Sequence, residues 1–191
     1  VAVGTLLAMP AARGLFSRAI LHSGTPARLG DADAAAAITA SYLERLGIPD
    51  ADAESLRTVP VDDLLRVQGA RGALSPVVDG DTLPVHPMSA VRDGVARGIP
   101  LMVGTTRDEQ KLYVPRERPD LSDAELLDQV RRTIPRRAAD RAGEVVELYR
   151  TSRTSRGLGA SDHDVLDALG TASRFRMPAI RMAEALSARG V

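Results

Sequence analysis

The sequence predicts an α/β protein, part of a mainly parallel sheet with flanking helices and a helical excursion. Three observations predict it. Residues 99–103, IPLMV, form a short run that is apolar throughout and bounded by Gly98 and Gly104. That is the composition of a strand covered on both faces, as in parallel sheets. Residues 18–22, RAILH, make a second short strand that runs into the turn-rich Ser23-Gly24-Thr25-Pro26. Long stretches of helical periodicity separate and follow the two. Two strands, with a third extended piece near Val77, cannot build the covered sheet that such apolar strands require. The pattern therefore reads as a piece of a larger α/β protein, with both ends cut rather than finished.

Taken in order, residues 1–9 carry a small-residue helical pattern that Pro10 ends. Asp33 is placed to cap a helix reaching Leu46, with Ile38, Tyr42 and Leu46 on one face and Gly47 and Pro49 closing it. Two shorter helices are expected near 53–57 and 62–68, packing through Leu56, Leu64, Leu65 and Val67. Residues 75–83, SPVVDGDTL, read as an extended segment with a turn at Asp79-Gly80. Pro87 can open a helix of one or two turns that Gly94 ends. Beyond Tyr113 the chain is helical. Ser122 and Glu125, and again Ser161 and Asp164, have capping-box spacing ahead of apolar runs. Pro135 is expected to open a helix whose apolar face holds Val145, Val146, Leu148 and Tyr149. Residues 151–160, TSRTSRGLGA, read as a mobile loop. A last helix runs through Ile180, Met182 and Leu186.

Composition excludes several functions. The 191 residues suffice for one domain with a sizeable core, and 25 basic and 25 acidic residues cancel. Without a run of like charge, neither nucleic acid nor an anionic membrane is indicated as a partner. No apolar stretch reaches membrane-spanning length. Cysteine is absent, which rules out disulfides and thiolate metal sites and fits any compartment. Five aromatic residues, none of them Trp, are too few for base-stacking platforms or an aromatic cage. The single lysine, Lys111, among many arginines and alanines, reflects a GC-rich genome.

Chemistry is expected just past the strand 99–103, because functional side chains of open α/β sheets gather beyond the carboxyl ends of strands. Gly104, Thr105 and Thr106 make a turn, and Arg107, Asp108 and Glu109 follow. A carboxylate there can orient and polarise a histidine on a neighbouring loop. It can equally open a helix, whose positive end favours acids. His22, His86 and His163 each read as a surface or cap residue. Asp162, His163 and Asp164 are adjacent in sequence, and adjacent residues seldom converge on one ion, so no metal is expected.

Three segments together resemble the type-B carboxylesterase family, also called the carboxylesterase/cholinesterase family, of the α/β-hydrolase fold. They are residues 6–24, LLAMPAARGLFSRAILHSG; residues 76–84, PVVDGDTLP; and residues 98–109, GIPLMVGTTRDE. A weaker match covers residues 174–185, RFRMPAIRMAEA. Their order and spacing also fit, and the nearest likeness is to bacterial esterases of simple aryl and alkyl esters. The resemblance implies a partial α/β-hydrolase: a fragment of a serine carboxylesterase that hydrolyses carboxylic esters through an acyl-enzyme, with a small-molecule ester as substrate and no cofactor.

It also implies that the G-x-S-x-G elbow lies before residue 1 and the catalytic histidine after residue 191, so this chain alone is expected to be inactive. The triad acid falls on Glu109, the Glu of the D-E pair. Ser23 takes the position of a serine that supports that acid by hydrogen bonding; an ordinary turn serine is the plainer alternative. The family usually has Gly after the Glu, where this chain has Gln110, which questions the local turn. Residues 27–30 line the acyl pocket in relatives, and here they are small or aliphatic apart from Arg28, which suggests a roomy acyl side. The implied layout is a core strand with its preceding helix at 1–30, a helical excursion at 31–75, a core strand with the acidic loop at 76–112, a helical subdomain at 113–173 and a returning helix at 174–191. A different class remains open: a non-catalytic, cholinesterase-like binding or adhesion domain that keeps the fold. The retained Glu109 and the missing cysteines weigh against it.

Overall fold

A computed structural model describes residues 1–27, 29–68 and 75–188. The chain opens with helix α1, Ala2–Leu6, and a 3-10 turn at Pro10–Ala12, then enters strand β1, Ala19–His22. Strand β2, Gly30–Asp31, leads directly into helix α2, Ala32–Leu46. A 3-10 segment, Asp50–Thr58, and helix α3, Val61–Gln68, follow. Strand β3 is Val77–Val78, helix α4 Pro87–Arg92 and strand β4 Leu101–Gly104. After a 3-10 turn at Glu109–Tyr113 come helices α5, Asp123–Thr133; α6, Ala142–Thr154; α7, Asp162–Thr171; and α8, Met177–Ser187.

The two expected strands are parallel neighbours, in register from Ala19 opposite Leu101 to His22 opposite Gly104. Helices α1, α4 and α8 cover one face, where Leu21, Met88, Val91, Met182 and Leu186 form the main core. Only one face of the pair is covered among the described residues, as expected of apolar strands too few to build a covered sheet. Ile20 and Met102, paired across the strands, are 52% and 65% exposed. Period-2 alternation sends them to the face away from those helices.

A second core lies among α5, α6 and α7, built on Leu126, Val130, Ala142, Val146 and Leu169. Both capping boxes form, Ser122 with Glu125 and Ser161 with Asp164. The cap of α2 is Asp31, not Asp33: its carboxylate accepts the Ala34 N–H at 2.8 Å. The parallel pairing of β2 with β3 holds Asp31 extended, so the helix can begin only after it. That helix buries Leu43, whereas Ile38 is exposed. In α3 it is Val67 that is buried, and Leu65 is exposed.

Pro135 precedes a 3-10 turn, Arg136–Arg141, and the α-helix starts only at Ala142. Leu148 is exposed, so the apolar face centres on Val146. The mobile loop expected over 151–160 is corrected too. Helix α6 continues to Thr154 and closes in a Schellman motif: Gly157 adopts φ +68° and the Leu158 N–H reaches the Arg153 carbonyl at 3.0 Å. The buried Arg153 guanidinium, bonded to the Gly159 carbonyl, pins the far side. Between α7 and α8 the chain does not break; a π-turn at Ala172–Arg176 joins them.

Candidate active site

The site is assembled where β1 and β4 end side by side. The Ser23 N–H donates to the Gly104 carbonyl at 2.8 Å, which carries the pairing one residue past β1. Ser23 then turns into the left-handed region, φ +56°, the one non-glycine residue to do so among the described residues. Its neighbour must be small, because a Cβ on Gly24 would sit 2.3 Å from the Val1 nitrogen. So placed, the Ser23 hydroxyl donates to Oε2 of Glu109 at 2.7 Å.

Glu109 opens the 3-10 turn after β4 and is 9% exposed. The same Oε2 also accepts the Thr106 N–H and the Thr106 hydroxyl, each at 2.8 Å. Three donors thus meet one carboxylate oxygen, while Oε1 accepts none among the described residues. The Ser23 hydroxyl, followed by the Thr106 groups, holds this carboxyl below its ordinary range against the opposing effect of burial. At neutral pH it is an anion with one oxygen saturated and the other available to a further donor.

Sequence reasoning misses Thr106, although its signal is present: Thr106-x-x-Glu109 has capping-box spacing. In the ordinary cap at Ser122, the Ser122 N–H and hydroxyl likewise reach one oxygen of Glu125, at 2.9 and 2.7 Å. Although the 3-10 turn itself begins only at Glu109, after Asp108, such local bonding accounts for Thr106. It does not account for Ser23, which reaches Glu109 from 86 positions away on the other strand.

Asp108 faces elsewhere, paired with the Arg107 Nε at 3.0 Å. Gln110 needs no left-handed angle. It is buried, its N–H donates to the Thr171 hydroxyl at 3.0 Å, and its side chain lies over Gly170, where a Cβ would come within 2.8 Å of the Gln110 Cγ. The turn thus tolerates Gln110 because residue 170 lacks a side chain. Arg28, in the segment expected to line an acyl pocket, lies outside the described residues.

No histidine nitrogen reaches Glu109 among the described residues. His86 Nδ1 accepts the Met88 N–H, and His163 Nε2 lies 2.9 Å from the Pro119 carbonyl. The trio at 162–164 does not converge. Asp162 pairs with Arg150 at 2.6 Å, Asp164 serves its own cap and Lys111, and no metal-ligating cluster of three occurs among the described residues. No helix among the described residues is long and apolar enough to cross a membrane.

An ionised carboxyl held past a strand end fits the placement of functional groups in open α/β sheets, and the solved PNB esterase structures that superpose on this chain are of α/β-hydrolase fold. The model of the carboxylesterase family matches residues 1–191, and the chain belongs to that family. It is 34% identical over 195 residues to the para-nitrobenzyl esterase of Bacillus subtilis (strain 168), covering 97% of this chain and 37% of that protein. It is 24% identical over 144 residues to pyrethroid hydrolase Ces2e of Rattus norvegicus, covering 73% of this chain and 25% of that one. Among solved structures, a Geobacillus stearothermophilus carboxylesterase at pH 6.2 superposes with a TM-score of 0.76 at 33% identity, covering 99% of this chain and 39% of its own. A PNB esterase does so with a TM-score of 0.75 at 31% identity, covering 98% and 38%. The chain therefore spans well under half the length of these relatives.

Proposed function

We propose that this chain is part of a serine carboxylesterase in which Glu109 is the triad acid. The observation that supports this best is the donation from Ser23 to Glu109 between the ends of two parallel strands. It fixes the rotamer of a charged carboxyl and leaves Oε1 available. In this reading a serine attacks the ester carbonyl and the alcohol departs, leaving an acyl-enzyme that water hydrolyses to the carboxylic acid. A histidine takes the serine proton and delivers it to the departing alkoxide. Glu109 selects that histidine's tautomer and stabilises its positive form. No metal or cofactor enters the scheme.

The chain contains no G-x-S-x-G segment, so the reading assigns the nucleophile, and with it the base, to sequence outside these 191 residues. The division at residues 30, 75, 112 and 173 belongs to the same proposal. In the protein expressed with its flanking coding sequence, Glu109→Gln should lower kcat for a p-nitrophenyl ester about 10²- to 10⁴-fold with KM and folding little changed. A variant with wild-type kcat would reduce Glu109 to a turn-opening residue. The chain expressed alone should show no turnover that a fluorophosphonate blocks, and such turnover would overturn the assignment of serine and histidine.

A further inference from the structure

A second concave site lies behind the acid loop, between α6, α7 and the π-turn that joins α7 to α8. It is a cavity of about 350 Å³, within the range of small-molecule pockets. Four arginines line it: Arg107 from the acid loop, Arg153 from the last turn of α6, Arg156 from the turn that follows it, and Arg176 from the π-turn. No carboxylate lines it among the described residues. Two of the four are neutralised nearby, Arg107 by Asp108 at 3.0 Å and Arg153 by Asp164 at 3.5 Å. Among the described residues the other two bind only backbone oxygen: Arg156 Nε donates to the Ser152 carbonyl at 2.9 Å, and Arg176 Nη2 to the Arg107 carbonyl at 3.1 Å. Each therefore keeps guanidinium N–H groups and a full charge. In a chain whose charges sum to zero, this is a local excess of two cations around one cavity.

The rest of the wall is apolar, with Leu148, Tyr149 and Leu158 among it. Guanidinium forks match planar, two-oxygen anions, and the apolar wall suits a ligand with a hydrocarbon body rather than a bare inorganic ion. We propose that this cavity binds a small organic carboxylate, its head between Arg156 and Arg176 and its body against Tyr149 and Leu158. The proposal rests on the charge and shape of the cavity and stands whether or not Glu109 acts in ester hydrolysis.

Calorimetric titration of the full chain with benzoate, benzamide and inorganic phosphate tests it, with circular dichroism checking the fold of each variant. Benzoate should bind, and benzamide and phosphate should bind at least about tenfold more weakly. Arg156→Gln, an exposed change that leaves the core untouched, should weaken benzoate several-fold. Arg156→Gln with Arg176→Gln should weaken it by about tenfold or more. Benzamide equal to benzoate, phosphate tighter than benzoate, no benzoate binding, or benzoate binding unchanged in the folded Arg156→Gln protein would each overturn the proposal.

Discussion

Glu109 keeps its charge because Ser23 and Thr106 donate to it, and each donor can be removed separately. A hydrogen bond to a charged group is worth about 1.5–3 kcal/mol, so on the proposed reading Ser23→Ala, in the protein expressed with its flanking sequence, should reduce kcat for a p-nitrophenyl ester by about tenfold or somewhat more. It should also raise the carboxyl's pKa, since Ser23 is the leading cause of its depression. The stability linked to this group has a definite direction. Its folded pKa lies below the ordinary 4.5, so the contribution is complete above that value and is lost as pH falls through the folded pKa. Urea midpoints measured downward from pH 6 should therefore fall more steeply below about pH 4.5 for wild type than for Glu109→Gln; parallel curves would contradict the depressed pKa. Gly170 offers a second test at this scale. A helix interior ordinarily gains from Gly→Ala, but here the new methyl group meets Gln110. Gly170→Ala should cost about 1–3 kcal/mol by overpacking, and Gln110→Ala in the same protein should recover most of it.

The helices are terminated by local chemistry that mutation can isolate. Gly157 has φ +68°, and nothing lies within 4 Å of the place a methyl group would take, so Gly157→Ala meets only the left-handed backbone penalty. A loss of about 1–2 kcal/mol is expected in the unfolding free energy; no loss would mean that α6 frays before reaching that turn. This is also the scale at which legibility divides. Strands β1 and β4, both capping boxes and the glycine stops at Gly47 and Gly94 are readable because each is written within a few residues. The cap of α2 is not readable, because Asp31 is chosen over Asp33 by a strand pairing with Val78, far along the chain. Likewise the exposure of Leu148 depends on where α6 begins, and a 3-10 turn delays that start to Ala142. At the site, motif resemblance locates Glu109 and Ser23. Thr106 escapes notice because no helix follows it, the 3-10 turn beginning only at Glu109, and the place found for Gln110 depends on Gly170, sixty positions on.

At the scale of the molecule, the sheet that carries the site has two strands among the described residues, β1 and β4, and its Ile20–Met102 face is open. Apolar residues paired on an uncovered sheet face favour association. The chain alone should bind a hydrophobic dye in its folded state. Ile20→Thr with Met102→Lys should reduce that signal without altering the circular dichroism spectrum; an unchanged signal would place the dye elsewhere.

The bond between Ser23 and Glu109 has one more consequence, and it concerns time. Residues 86 positions apart must be brought together to make it, whereas α5, α6 and α7 build their core within a single continuous stretch of chain. Long closures lose their entropy before their contacts can offset it. The three-helix core can therefore hold while the strand ends open and close. In amide exchange, Leu126, Val130 and Val146 should be the last protons to leave, and Ser23 and Thr106 should exchange early, through excursions that leave the helices intact. The acid's placement would then be the most easily lost feature of the chain.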